Sequence, residues 1–391
     1  MKKNLKILIC PLEWGRGHSA RMIPMALNLI EMGHSVIIGT GKENRVFFQT
    51  ETPQIQCIDF PGFKPRYSAV LPQYLMIAAG IPRLLFHIIA EHYLLRKIIA
   101  VNNIDMVISD NRFGLWNRKV KTVYVTHQIR IPFPQVIRFL EFTGIFLHRL
   151  VIRKFDYCLI PDLPGKLNLT GRLTHGMRLP DNVIFAGILS RFPVKKLSQD
   201  GSDVTHQYTT VILSGPEPQR TLLRHKTEKL LDCKGIKGVI LGCTNENESG
   251  AIKQGNITIY SHLPGVRMQE VITGSRNIIA RAGYTTIMEL VSLNRSAVLI
   301  PTPGQTEQEY LAKRMTGKGW FSSISQKDLK NYNFPEALIT HLPAREMISE
   351  SNHLLPEALK KISEEDQNQG HRGKSKQKSR PHFGRSMLLK P

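Results

Sequence analysis

Cysteine is scarce in this chain and carries no pattern. Its five thiols, Cys10, Cys57, Cys158, Cys233 and Cys243, include no Cys-x-x-Cys pair. That argues against a disulfide framework or a zinc site and for buried, reduced thiols. No run reaches 18 uninterrupted apolar residues, so no segment is expected to span a membrane. The basic start, Lys2-Lys3, looks like the opening of an export signal, but the apolar run Leu5–Cys10 is cut off by Pro11, Glu13 and Arg16. It reads as a first strand, which makes the expected location cytoplasmic. The usual nucleotide signatures are missing too. Ala20 stands where the third glycine of Gly-x-Gly-x-x-Gly would fall, and there is no complete Gly-x-x-x-x-Gly-Lys-Ser/Thr run and no Asp-x-Asp triplet. No aromatic platform or RNA-binding signature accompanies the positive charge, so no specific nucleic-acid partner is expected.

Acidic residues are also in short supply: 31 against 53 basic ones in 391 residues, a formal charge of +22. From Gly370 onward come seven basic residues and no acidic one, which leaves about +15 on the rest of the chain. The excess favours anionic partners, such as phosphorylated substrates or an anionic membrane surface.

Apolar runs alternate with helical spacing through most of the length. Strands are expected at Leu5–Cys10, Ser35–Gly39, Ile55–Ile58, Met106–Ser109, Thr122–Thr126 and Tyr157–Ile160, with helices near Ser19–Met32, Glu43–Thr50 and Pro72–Val101. After a stretch rich in Gly, Pro and Ser that holds one expected strand near Val183–Ala186, the alternation restarts with strands at Thr210–Leu213, Gly238–Leu241, Ile257–Tyr260, Asn277–Ala280 and Ala297–Ile300. The reading is α/β, with two Rossmann-like parallel-sheet domains facing across a cleft. Residues 1–180 form the first domain, 181–206 a linker, 207–363 the second domain, and 364–391 a basic disordered tail.

Two segments carry chemistry. Gly15-Arg16-Gly17-His18 follows the first strand, where open α/β sheets bind ligands and a helix N-terminus can meet an anion. Asp110-Asn111-Arg112 and His127 follow later strands and reach the same sheet edge. Asp110 can orient an imidazole or act as the base itself. The second segment is Arg281-Ala282-Gly283-Tyr284-Thr285-Thr286, running into a helix through Glu289. The N–H and hydroxyl groups of Gly283, Thr285 and Thr286 suit a pyrophosphate, and Glu289 suits ribose hydroxyls. A Thr286-x-x-Glu289 capping box is the structural alternative. Pro301 to Glu309 then forms a polar turn whose amides and carboxylates suit sugar hydroxyls. His87, Glu91 and His92 share one helix and are read as packed or solvated rather than as metal ligands.

The pair of segments resembles the two-domain GT-B glycosyltransferases of the family 28 type, which include the N-acetylglucosaminyltransferase of peptidoglycan lipid intermediates and galactolipid synthases. The resemblance covers roughly residues 5–320 and is most specific from Arg281 to Ala312. It implies a metal-independent, inverting hexosyltransferase of cell-envelope glycan biosynthesis, with no cofactor beyond its nucleotide-sugar co-substrate. The donor, UDP-linked by this likeness, would meet Arg191, Ser214, Gly215, Arg220, Gly283, Thr285, Thr286, Glu289, Glu307 and Gln308. Gly15, Gly17, Asn111, Arg112 and His127 would line the acceptor side, with His18 or Asp110 as base. The Pro216-Glu217-Pro218-Gln219 run after Gly215 departs from the family's Gly-rich loop. Pro132–Lys154 and the helices of Leu71–Ile99 mix aromatic, aliphatic and basic residues, which fits attachment to an anionic membrane at its cytoplasmic face and a lipid- or glycan-linked acceptor. A sugar-nucleotide epimerase of the same shape and a basic nucleotide- or nucleic-acid-binding protein are the competing readings.

Overall fold

A computed structural model of the chain describes residues 4–65, 76, 79–192, 208–242, 250–261, 263–334 and 340–364. Cys243, the greater part of the expected linker and the basic tail from residue 365 lie outside the described residues. Among the described residues the fold is two sheets of seven strands each, parallel apart from one edge pair, with helices packed on them. The first runs in the order β3-β2-β1-β4-β5-β6-β7. These strands are β1 (Lys6–Cys10), β2 (Ser35–Thr40), β3 (Gln56–Asp59), β4 (Met106–Asp110), β5 (Lys121–Val125), β6 (Tyr157–Ile160) and β7 (Val183–Phe185). The second runs β10-β11-β9-β8-β12-β13-β14. Its strands are β8 (Thr209–Ile212), β9 (Gly238–Leu241), β10 (Ala251–Gln254), β11 (Ile257–Tyr260), β12 (Asn277–Ala280), β13 (Val298–Leu299) and β14 (Ser322–Ser323).

The topology fixes where ligands can sit. In the first sheet the strand order reverses between β1 and β4, which pair in register with Cys10 beside Ser109. In the second it reverses between β8 and β12, with Ile212 beside Ala280. At such switch points neighbouring loops part and leave a crevice. The residues after β1 and β4 are the Gly15–His18 turn and Asp110-Asn111. Those after β8 and β12 are Ser214-Gly215 and Gly283–Thr286.

The central strand β1 ends in a continuous apolar run, as a sheet covered on both faces favours. Ile7, Leu8, Ile9 and Cys10 have no exposed surface. Helix α1 (Arg16–Glu31) starts three residues earlier than the periodicity predicted, so His18 lies in its first turn. The remaining helices are α2 (Lys42–Glu51), α3 (Ile81–Asn102), α4 (Glu141–Ile152), α5 (Gln219–Cys233), α6 (Gly265–Thr273), α7 (Tyr284–Ser292), α8 (Thr306–Gly317), α9 (Ala344–Ser351) and α10 (Leu354–Glu364). Pro82 occupies the start of α3, where its missing N–H costs nothing.

Three features depart from the sequence reading. The strand at 183–185, within the stretch read as linker, is the seventh strand of the first sheet. Strand β10 pairs antiparallel with β11 in an otherwise parallel sheet. Cys233 is exposed, whereas Cys10 and Cys158 are buried as expected, with burial pushing their thiols up, that of Cys10 to about 12. Helix α10, from the end of the second half, packs on β7 and α1 of the first. Among the described helices none is long and apolar enough to cross a membrane.

Gly114 shows how closely α3 is docked beside the β4 loop. A Cβ there would lie 2.3 Å from the backbone oxygen of Ile88. Gly114→Ala should therefore destabilise the protein by about 1–3 kcal/mol. Thermal denaturation checks this, and an unchanged melting temperature would contradict the packing described.

Candidate active site

The first-domain side of the cleft is built around one carboxylate. Asp110, at the end of β4, is fully buried. Its Oδ2 lies 2.9 Å from Nδ1 of His18 and accepts from Nε of Arg21 at 3.0 Å. Nη2 of Arg21 donates to Oδ1. Burial alone would raise the Asp110 carboxyl, but Arg21 and His18 beside it bring it down to about 2. Asp110 is therefore an ionised acceptor shut off from the cleft, which suits the orienting role rather than that of the base. His18 keeps 20% of its side chain exposed. Burial and the Arg21 charge lower its proton affinity below the ordinary histidine value, with Asp110 opposing. The α1 start is capped by Gly15, whose φ of 152° is a glycine conformation, and no side chain caps the helix. Its first N–H groups are thus left for an anion.

The other N-domain residues divide. His127, beyond β5, comes to the His18 centre, with ring centroids 6.5 Å apart. Asn111 stands next to Asp110 in a left-handed conformation and accepts from the Tyr124 hydroxyl at 3.0 Å. Arg112 is held by structural partners. It is buried, ion-paired with Glu91 at 3.1 Å, bonded to the Phe60 carbonyl at 2.9 Å and stacked over the Phe60 ring. Its expected acceptor contact is spent on packing, because a buried guanidinium needs its partners within the core. His92 receives similar structural use, with Nδ1 at 3.0 Å from the Gly114 carbonyl. Among the described residues no cluster of His, Cys, Asp or Glu could hold a metal ion.

The second-domain side gathers at the N-terminus of α7. Gly283 caps that helix without any side-chain cap, so the Thr286–Glu289 capping box does not form. A Cβ on Gly283 would meet Thr286 Oγ1 at 3.6 Å and Ser214 Oγ at 3.8 Å. Ser214, Gly283 and Thr286 thus border one small space in front of free helix N–H groups. Gly215 follows with φ of 95°. Glu289 is buried and lies 2.9 Å from Nε of Arg191, which also reaches Glu51 at 3.3 Å. Burial raises the Glu289 carboxyl, Arg191 opposes this, and Glu51 adds to it. Two residues expected on the donor, Arg191 and Glu289, are therefore each other's partners. Arg220 pairs instead with Glu217 at 2.7 Å. Gln308 uses its side-chain oxygen to accept from Thr302 N at 2.9 Å.

The two halves meet across these residues. Thr285 Oγ1 donates to the Gly17 carbonyl at 3.1 Å. Glu307, at the start of α8, lies 2.8 Å from Nε2 of His127, and Tyr284 stacks on the His127 ring at 4.4 Å with planes 5° apart. Burial would raise the Glu307 carboxyl, but His127, then His18 and Arg21, hold it below its ordinary value. Further out, Thr306 Oγ1 donates to Pro132 O at 2.6 Å and Arg314 Nε to Leu169 O at 3.0 Å. The sequence reading missed Arg21 and gave Tyr284 and Glu51 no role. The signal for Arg21 was its spacing, since positions 18 and 21 share one helix face.

Comparisons with known proteins agree with this architecture. Residues 244–379 match the glycosyltransferase family 28 C-terminal domain. The chain is 35% identical over 104 residues to a UDP-N-acetylglucosamine–N-acetylmuramyl-(pentapeptide) pyrophosphoryl-undecaprenol N-acetylglucosamine transferase of Bacillus cytotoxicus, covering 25% of this chain and 29% of that protein. It is 42% identical over 64 residues to the corresponding transferase 1 of Bacillus anthracis, covering 16% and 18%. The chain thus spans less than a third of the length of these relatives. Among solved structures, the spinosyn rhamnosyltransferase SpnG aligns with a TM-score of 0.60 at 12% identity, over 92% of this chain and 100% of that one. The glycosyltransferase SnogD from Streptomyces nogalater aligns at 0.57 and 13%, over 92% and 99%. These likenesses establish the fold as GT-B, two Rossmann-like domains closing on one cleft.

Proposed function

We propose that the chain is an inverting glycosyltransferase that moves a hexose or N-acetylhexosamine from a nucleotide-sugar to a lipid- or glycan-linked hydroxyl. The observation that carries this reading is the direct apposition of two glycine-capped helix starts, α1 and α7, through the Thr285–Gly17 hydrogen bond. A base from one domain and an anion-binding helix end from the other are thereby brought to the same point. The local match to family 28 and the relatives named above favour a UDP-linked donor.

In this reading His18 accepts the acceptor's proton on Nε2 while Asp110 holds its Nδ1–H. Its lowered proton affinity keeps it neutral, and so competent as a base, below the ordinary histidine range. The diphosphate charge that grows as the nucleotide leaves is met by the α7 N-terminus, Thr286 and Ser214. Glu289 exchanges its Arg191 partner for the ribose hydroxyls, which frees Arg191 to turn toward the diphosphate. Glu307 and Gln308, at the start of α8, lie nearest the donor sugar.

An anionic bilayer is the proposed docking surface. On α3, Leu85, Phe86, Ile89 and Tyr93 are exposed, and around α4 so are Phe139, Phe142, Phe146 and Leu147. Trp116 ties the two together, stacked on His92 of α3 and covered by Lys154 beyond α4. Arg83, Arg96, Lys97, Arg138, Arg149 and Arg153 add basic charge to the same segments. Aromatic and aliphatic side chains ringed by positive charge suit the interface of an acidic bilayer.

Three outcomes check the proposal. His18→Ala should lower kcat by about a hundredfold to ten-thousandfold in a nucleotide-release assay with lipid extract; full transfer activity would remove His18 as the base. Glu289→Ala should weaken UDP-sugar binding by about tenfold to a hundredfold by calorimetry, and unaltered affinity would remove the ribose assignment. The protein should float with anionic liposomes at low salt and be released as salt rises, with Phe86→Glu combined with Phe142→Glu abolishing flotation. Failure of the unmodified protein to float would contradict membrane docking.

A further inference from the structure

Arg21 is the most heavily engaged buried cation of the cleft. It is 1% exposed, and its three nitrogens are shared among three partners. Nε and Nη2 donate to the two oxygens of Asp110, Nη2 also lies 2.9 Å from Nδ1 of His18, and Nη1 lies 2.9 Å from Nδ1 of His127. A guanidinium has only donors and keeps its proton. Nδ1 of His127 must therefore accept, which puts the proton on Nε2, where it donates to Glu307 Oε1 at 2.8 Å. Nδ1 of His18 lies 2.9 Å from both Nη2 of Arg21 and Oδ2 of Asp110, and it can bond only one of them. Nη2 donates to Oδ1 of Asp110, and the ionised, acceptor-only carboxylate takes the Nδ1–H of His18, which leaves Nε2 with a lone pair.

We infer that Arg21 is a positioning residue that fixes the tautomer of His127 directly and the opposite tautomer of His18 through Asp110, whose carboxylate it holds in place. His18 is held as the proton acceptor of the first domain. His127 is held as a hydrogen-bond donor aimed at Glu307 of the second. A single guanidinium thus sets both the chemistry of the base and the polarity of the hydrogen bond that ties the domains together. The inference deepens the glycosyl-transfer reading and rests on it for the word base. The tautomers themselves are a property of the protein without substrate.

Charge follows from the same geometry. The groups facing His18 are Arg21 on its own helix, Asp110 from β4, His127 from beyond β5, and Glu307 from α8. Burial, then the Arg21 charge, lower its proton affinity, Asp110 raises it, and His127 lowers it further. Removing the Arg21 charge should make His18 easier to protonate, so its titration midpoint and the acid limb of the kcat profile should both move to higher pH.

Two-bond proton–nitrogen correlation spectra of the histidine rings, recorded on the full, substrate-free protein across pH, test this. In the unmodified protein His127 should show Nε2–H with a bare Nδ1, and neutral His18 the reverse. In Arg21→Met the His18 midpoint should rise and the His127 preference should be lost. Arg21→Lys keeps the charge but cannot reach three partners at once. It should leave the His18 midpoint near that of the unmodified protein while still losing the His127 tautomer, which separates charge from geometry. A proton on Nδ1 of His127 in the unmodified protein overturns the inference without any variant having to fold. An unmoved His18 midpoint in a folded Arg21→Met protein overturns it as well. The expected spectra in a protein that turns over no nucleotide-sugar would support the tautomer assignment and overturn only the glycosyl-transfer reading.

Discussion

The cleft depends on a buried carboxylate that has to remain charged. Asp110 sits at the end of an interior strand with no exposed surface, where an isolated carboxylate would take up a proton. Arg21 meets both of its oxygens and His18 adds a further contact. The ion pair is too deep for water to replace either partner, so loss of one would leave the other uncompensated. Everything on the first-domain side of the cleft is arranged around this requirement, from the orientation of the His18 ring to the direction in which His127 points.

The second domain answers with backbone rather than side-chain charge. Its proposed anion site is a helix start with a glycine cap, bordered by two hydroxyl groups. The buried pair of Arg191 and Glu289 is neutral as a unit. That division suits a ligand whose negative charge has to be held and then released. In the proposed reaction helix N–H groups attract the diphosphate, and Arg191 reaches it only once Glu289 has exchanged partners. The contacts between the halves, from Thr285–Gly17 at the centre to Arg314–Leu169 outside, hold the two parts of the site in one frame.

Much of this was legible in the sequence because parallel sheets write themselves as continuous apolar runs. β6, β9, β11 and β12 coincide with the runs read from the chain. The switch-point loops were legible for the same reason, since glycines and polar residues after such runs have few structural uses. The misses share a physical cause. Strands β10 and β14 are short edge elements, and β10 is exposed throughout, so neither needs an apolar pattern. Arg112 and Arg21 look alike as sequence, a basic residue close to a motif. Which of them reaches the cleft is decided by neighbours about 20 and 90 residues away, Glu91 and Asp110. Arg191 and Glu289 were each read as facing a ligand, and only the fold reveals that they face each other.

In the proposed reaction the cleft sustains a single in-line displacement, with the base on one side of the anomeric carbon and the diphosphate site on the other. The anomeric configuration of the product, determined by NMR on glycolipid made from an α-linked UDP-sugar and lipid extract, tests that arrangement most directly. The account predicts a β-linked product from the α-linked donor. An α-linked product would require the sugar to be attacked from the side that holds the diphosphate, and would contradict it.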